Sequence, residues 1–291
     1  MVFVADVETY PNFWMCLFKN IDTGEVIRFQ QSPNVKMNRI GLQDVMDNNL
    51  TIWFNGKTYD IPMVQLAIKG ATCEELYQAS NDLIVGEMKS KEFRNKYGIT
   101  KNKFNDIDLI EVAPLKASLK IYGGRLHCKK MQSLPLSPDT IINKETANLL
   151  YKYCCNDLEV TELLYRELLP EINLRIELGK QYGKDFRSSK GSQIAESAIT
   201  SEVENLTGKR IAKPLPDKIS FKYNVPKYIK FTSPQLIDFL KKLQTAEFIT
   251  NEDGEVELPK FIKETVINLE YGSYKPSIGG LHSLESCVKY E

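Results

Sequence analysis

Val2-Phe3-Val4-Ala5-Asp6-Val7-Glu8-Thr9 decides the fold: it is an apolar, β-branched run that ends on two acids. A strand places alternate side chains on opposite faces, so Asp6 and Glu8 share one face and Phe3, Ala5 and Val7 take the other. Two carboxylates at that position call for a strand end that opens toward a cleft. Working outward, residues 13–20 and 25–30 read as further strands, separated by the turn Asp22-Thr23-Gly24. The first part of the chain is therefore expected to be a three-stranded antiparallel meander.

Residues 40–46 have helical spacing, and 50–55 (Leu-Thr-Ile-Trp-Phe-Asn) form a short apolar run suited to a buried strand. A helix is expected over 60–69, with Pro62 in its first turn. Another strand is expected over 105–110, and a helical stretch over 115–122. The longest periodic segment, 146–180, repeats Leu149, Leu150, Tyr153, Asp157, Val160, Leu163 and Leu164 at helical intervals. Pro170 either kinks it or separates two helices. Antiparallel strands followed by alternating helix and strand predict an α/β fold: a mixed sheet flanked by helices.

The character changes near 190, giving an expected division into 1–190 and 191–291, the second a smaller mixed α+β region. There, 194–205 is helical, 212–230 is rich in Pro and Lys, and 233–245 reads as a helix capped by Ser233 with Pro234 at its first position. Asn251-Glu252-Asp253-Gly254 reads as a turn. Between Lys209 and Lys242 the basic residues are Lys209, Arg210, Lys213, Lys218, Lys222, Lys227, Lys230, Lys241 and Lys242, against Asp217 and Asp238. Such a stretch is either a solvated face or a phosphate-tracking surface.

Bulk properties narrow the class. The chain has 291 residues, 42% apolar and 26% charged, with a formal net charge of zero. Zero charge argues against coating nucleic acid by charge alone. No run reaches the roughly 18 apolar residues of a membrane span, so no membrane partner is expected. The start turns acidic too soon for a signal peptide. The expected location is therefore the cytoplasm, with Cys16, Cys73, Cys128, Cys154, Cys155 and Cys287 as reduced thiols. They form no Cys-x-x-Cys pair, and the histidines are His127 and His282, a spacing unlike a structural zinc site.

Two further segments carry acids. Asn55-x-x-x-Tyr59-Asp60 lies where a strand passes into a helix, an edge at which α/β sheets bind ligands, and Gly56 permits a tight turn there. In Tyr153-x-x-x-Asp157 the phenol and carboxylate lie one helical turn apart on one face. Alone, each has an ordinary explanation: an edge-strand acid pair, a helix-start acid, an amphipathic helix. Gathered together, Asp6, Glu8, Asp60 and Asp157 would repel one another unless a cation sat between them. A pair of divalent ions and phosphodiester hydrolysis would suit such a cluster.

Asp-x-Glu, Asn-x-x-x-Tyr-Asp and Tyr-x-x-x-Asp in this order resemble the three motifs of the DEDDy 3′–5′ exonucleases, over about residues 1–165. The stretches 114–120 and Tyr122-Gly123-Gly124 look like the segment between that family's second and third motifs. The resemblance implies a ribonuclease H-like fold and two Mg²⁺ or Mn²⁺ ions. It implies that Asp6, Glu8 and Asp157 hold the ion that activates water, that Asp6 bridges to the second, and that Asp60 supports the second. Tyr153 would position the water; Asn55, Tyr59 and the backbone near Thr9 would meet the terminal nucleotide. The implied partner is single-stranded DNA or a primer 3′ end. Phe13, Trp14, Phe54, Tyr59 and Tyr122 are candidates for base stacking.

Gly279-Gly280-Leu281-His282 reads by itself as a glycine turn before a strand. In context it looks like a segment of virus-encoded family B DNA polymerases, just ahead of their first polymerase motif. Glu291 comes before any Asp-x-x-Ser-Leu-Tyr-Pro-Ser-like sequence. The resemblance implies the proofreading part of a longer phage-type polymerase, whose remainder would lie C-terminal, working in the host cell cytoplasm. Two other readings stay open: a free-standing DEDDy nuclease acting on RNA or oligonucleotides, and a non-catalytic DNA-binding module.

Overall fold

In the computed structural model, residues 1–101, 103–115, 117–211, 219–250, 256–270, 272–277 and 279–284 are described. The meander forms as expected. β1 (Val2–Tyr10), β2 (Phe13–Asn20) and β3 (Val26–Gln31) pair antiparallel, with Asp6 opposite Leu17 and Glu8 opposite Met15. After α1 (Arg39–Asn48), β4 (Leu50–Trp53) returns parallel to β1. Three helices follow: α2 (Asp60–Lys69), α3 (Cys73–Ile84) and α4 (Ser90–Tyr97). β5 (Asp106–Asp108) then adds parallel to β4, giving a mixed five-stranded sheet of order β3-β2-β1-β4-β5.

Strand alternation divides the core in two. Phe3, Ala5 and Val7 pack on one face with Leu42, Met46, Met63, Val64 and Leu76 from α1–α3. Val4 and Tyr10 pack on the other, with Met15 and Leu17 of β2. That second face is covered by α6 (Lys144–Glu167), which follows α5 (Leu119–Arg125) and supplies Leu150, Cys154 and Leu158 to the core. Asn143 and Thr146 form a capping box that starts α6. Pro170 separates rather than kinks: α6 ends before Leu168, and α7 (Leu169–Tyr182) carries the proline in its first turn.

Several expectations shift. The helical stretch expected over 115–122 begins only at Leu119, because Leu115 has a left-handed backbone (φ 68°) and Ser118 is the N-cap. Lys116 lies outside the described residues. Helices α3 and α4 had no counterpart in the sequence reading. The Thr72/Glu75 capping box that opens α3 was the available signal.

The chain divides into two compact units, Met1–Lys209 and Arg210–Glu291, a later division than the change of character read near 190. The reason is α8 (Gly191–Thr207), a helix that belongs to the first unit. The second unit contains two small antiparallel sheets. One joins β6 (Ser220–Lys222), β7 (Glu247–Thr250) and β8 (Val256–Glu257); the other joins β9 (Ile267–Leu269), β10 (Gly272–Ser277) and β11 (Gly280–Ser283). With α9 (Pro234–Thr245) and α10 (Lys260–Glu264), they enclose an apolar cavity of about 380 Å³ lined by Phe231, Leu240, Phe248, Ile262 and Leu281. Ser233 stands at the N-cap of α9, but its side chain caps nothing.

Gly279, with φ 98°, lies in the connection between the paired strands β10 and β11, and Gly280, with φ 144°, is the first residue of β11. In the basic stretch, Lys222, Lys227, Lys230 and Lys241 are exposed, and Lys242 pairs with Asp238 at 2.8 Å. Lys213 and Lys218, like the turn at 251–254 and Cys287, lie outside the described residues. The five described cysteines are free thiols. Among the described residues no helix is long and apolar enough to cross a membrane.

Candidate active site

β1 creates the site by outrunning its neighbour. It pairs with β4 only through Val2–Val4, opposite Leu50–Ile52, and from there onward β2 alone continues alongside. The edge left free still carries backbone donors that need partners. Asp60, at the start of α2, takes one of them: Val7 N–H donates to Asp60 Oδ1 at 3.1 Å. The crevice between β1 and β4 thus opens at the carboxyl edge of the sheet, with Asp6 and Glu8 on the face toward α6.

The 54–59 loop that delivers Asp60 is tightly built. Asn55 has φ 65°, a conformation asparagine tolerates better than most residues. A Cβ on Gly56 would lie 2.3 Å from Trp53 Cβ, so the loop closes only on glycine at that position. Asp108, at the end of β5 and 1% exposed, grips the loop from below. Its Oδ1 accepts from Asn55 N–H at 2.8 Å and its Oδ2 from Lys57 N–H at 2.9 Å. Burial raises the Asp108 carboxyl above its usual range, and these backbone donors oppose the rise. Changing Asp108 to Asn removes one good acceptor and leaves a buried N–H unpaired, which costs about 1.5 kcal/mol. The expected result is a midpoint about 3–6 °C lower by thermal melting; an unchanged midpoint would show that the loop does not depend on Asp108.

From the other side α6 brings Tyr153, Cys154 and Asp157. The Tyr153 hydroxyl donates to the Asp157 carboxylate, and Asn156 Nδ2 donates to Asp157 Oδ1 at 3.5 Å. Cys154 Sγ donates to Asp6 Oδ2 at 3.2 Å, and one donor atom each from Asp6, Glu8 and Cys154 lie within 4.8 Å of one another.

The electrostatics tie the acids into one group. Asp6 is raised to about 7, first by burial and then by the Asp157 charge. Burial, followed by Asp6, Asp157 and Asp60, pushes Glu8 well above its usual range. Asp60 is driven up by burial and then by Asp6 and Asp108. Asp157 is raised by burial against the opposing pull of Tyr153, Asn156 and Lys120. The Tyr153 phenol is pushed up by burial and by Asp157. Asp6 and Asp157 are partly exposed, whereas Glu8 and Asp60 are buried, so solvent reaches the group from the Asp6–Asp157 side.

This donor set fits hard divalent cations, which take carboxylate oxygens and water. Glu8 is only 8% exposed, and among the described residues its carboxylate accepts no hydrogen bond and forms no ion pair. A buried carboxylate left this way is costly without a counter-charge. Asp6, Glu8 and Asp157 are the residues that would hold such an ion, with Asp60 across the strand edge.

Tyr59 and Thr9 stay beside the acids, close enough that, after burial, Asp60 and Glu8 also raise the Tyr59 phenol. Tyr59 is half-buried and its hydroxyl lies 2.9 Å from Ser80 Oγ of α3. Thr9 lies beside Tyr59, and its buried Oγ1 makes no hydrogen bond of normal geometry. Of the five aromatics considered for base stacking, Phe13, Trp14 and Tyr122 are buried core residues and so cannot stack on a base. Phe54 and Tyr59 keep partial exposure. Asp108, Cys154 and Lys120 had been missed. Asp106-Ile107-Asp108 repeats the acid-apolar-acid pattern of β1, and Leu150, Cys154 and Leu158 share an inward stripe at i,i+4, but neither pattern says what Asp108 or Cys154 would touch.

No family model, no curated protein and no solved structure matches the chain.

Proposed function

We propose that this chain is a metal-dependent 3′–5′ exonuclease of ribonuclease H-like architecture that removes nucleotides from DNA 3′ ends, as the editing part of a phage-type family B polymerase. The observation that carries this reading is the gathering of Asp6, Glu8, Asp60 and Asp157 at one sheet edge, with Tyr153 hydrogen-bonded to Asp157. The polymerase context rests on the resemblance of Gly279-Gly280-Leu281-His282 alone.

Two divalent ions, when bound, would activate water and stabilise the attacking and leaving oxygens of an in-line displacement. The chain's own part is arrangement. Asp6, Glu8, Asp60 and Asp157 supply the oxygen donors. The Tyr153 hydroxyl, already fixed by Asp157, holds the attacking water. Asn55, Tyr59 and the backbone near Thr9 orient the terminal nucleotide. Lys120, whose charge acts on Asp157, offsets part of the negative field that would otherwise repel a phosphate. Water oxygen bonds to phosphorus and gives up a proton to solvent, the bond to the 3′ oxygen of the penultimate nucleotide breaks, that oxygen takes up a proton, and a nucleoside 5′-monophosphate leaves.

The test is incubation of 3′-labelled single-stranded DNA and RNA with Mg²⁺ or Mn²⁺, with EDTA as control. Metal-dependent release of mononucleotide from DNA is the expected result. Release from RNA alone would favour a free-standing RNA nuclease, since the four acids do not distinguish the sugars. No release from either would point to a binding module.

A further inference from the structure

The sulfur in the cluster is unexplained by the exonuclease reading, because Mg²⁺ prefers oxygen and gains nothing from a thiol. Cys154 is 0% exposed, its Sγ is 3.2 Å from Asp6 Oδ2, and it converges with one oxygen each of Asp6 and Glu8 within 4.8 Å. Independently, Glu8 is more than nine-tenths buried and makes no hydrogen bond or ion pair among the described residues, while its carboxylate faces these same atoms. One sulfur and two carboxylates are the donor set that, completed by a water, makes an open tetrahedral site for a borderline-soft ion.

We propose that Asp6, Glu8 and Cys154 bind one thiophilic divalent cation of the Zn²⁺, Cd²⁺ or Co²⁺ class. As the metal–sulfur bond forms, the S–H bond breaks and the thiol proton leaves to solvent, together with the protons that Asp6 and Glu8 hold in the metal-free state. This ion shares Asp6 and Glu8 with the catalytic ions of the exonuclease reading. On that reading, on which this consequence rests, the bound soft ion is an inhibitor.

The experiment is a Co²⁺ titration of the full chain, free of other metals, following the sulfur-to-cobalt charge-transfer absorption. A saturable band at one equivalent, bleached by Zn²⁺, is expected. Cys154→Ser should abolish the band and weaken Co²⁺ binding at least about tenfold, the least expected when a metal site loses a supporting group. Cys155→Ser should leave the band in place. Glu8→Gln keeps the sulfur, so it should retain the band but weaken affinity by a similar factor; it serves as the second variant if Cys154→Ser does not fold. Absence of a band, its survival in Cys154→Ser, or undiminished affinity in Glu8→Gln would overturn the site. The two readings fail separately. DNA cleavage with Mg²⁺ but no cobalt–sulfur band removes the soft-metal site and keeps the nuclease; a Cys154-dependent band without cleavage does the reverse.

Discussion

Replacing Asp6 by alanine should lower Mg²⁺-dependent nucleotide release from single-stranded DNA by roughly a thousandfold or more, with folding intact. Metal-assisted charge stabilisation contributes several kcal/mol to such a displacement, and each 1.4 kcal/mol is about tenfold in rate. Asp6 occupies the centre of the group: its charge raises both Glu8 and Asp60, and Asp157 in turn raises Asp6. Removing it therefore weakens ion binding by every other acid in the cluster. The loss should fall on kcat rather than on binding of DNA, since on the exonuclease reading Asp6 serves the chemical step. Glu74→Ala is the control, because Glu74 is an exposed acid in the first turn of α3. Single-turnover release with labelled DNA measures both variants. Near-normal release by Asp6→Ala, with an unchanged circular dichroism spectrum, would sink the exonuclease assignment.

The residues that made this site legible were those whose chemistry conflicts with their surroundings. Asp6 and Glu8 interrupt an apolar strand, and strand alternation alone put them on one face. The start of α2 at Asp60 was readable because Pro62 marks a first helical turn, and the observed helix begins at that residue. Tyr153 and Asp157 followed from helical spacing. What stayed hidden depended on contacts between distant segments. Asp108 looks like one acid among many until β5 pairs parallel with β4 and carries it beneath the Asn55–Lys57 loop. Cys154 reads as a core residue on its stripe, and only the packing of α6 against β1 puts its sulfur on Asp6. The late start of α5 arises from the left-handed backbone at Leu115, for which leucine gives no local signal. The second unit was hardest, because short strands and weak periodicity leave few patterns to read.

Without divalent metal, the first unit should lose stability as pH rises, and metal should restore it. A carboxyl whose folded pKa is raised binds its proton more tightly in the folded state. Its contribution to stability is complete below the unfolded pKa and disappears as pH climbs through the folded one. For Asp6 that window runs from 3.8 to about 7, and Glu8 and Asp60, raised in the same direction by burial and mutual repulsion, extend the loss upward. Asp82, Glu162 and Asp185 have lowered values and act in the opposite sense, losing stability as pH falls through the acid range, so they do not cancel the effect above pH 5. Over roughly two pH units, from 5 to 7, Asp6 alone accounts for about 3 kcal/mol. In EDTA the midpoint of thermal unfolding should therefore drop by about 6–12 °C between pH 5 and pH 8. Added Mg²⁺ or Mn²⁺ should raise it strongly at pH 8 and little at pH 5, because an ion that needs carboxylates competes with protons. Asp6→Asn should melt higher than wild type at pH 8 in EDTA and respond less to metal, since the amide relieves the repulsion but is a poor ligand for the ion. Scanning fluorimetry across pH, with and without metal, measures all of these. A midpoint that rises from pH 5 to pH 8 in EDTA would mean the four acids are not held together in solution, and the metal-dependent reading would lose its physical basis.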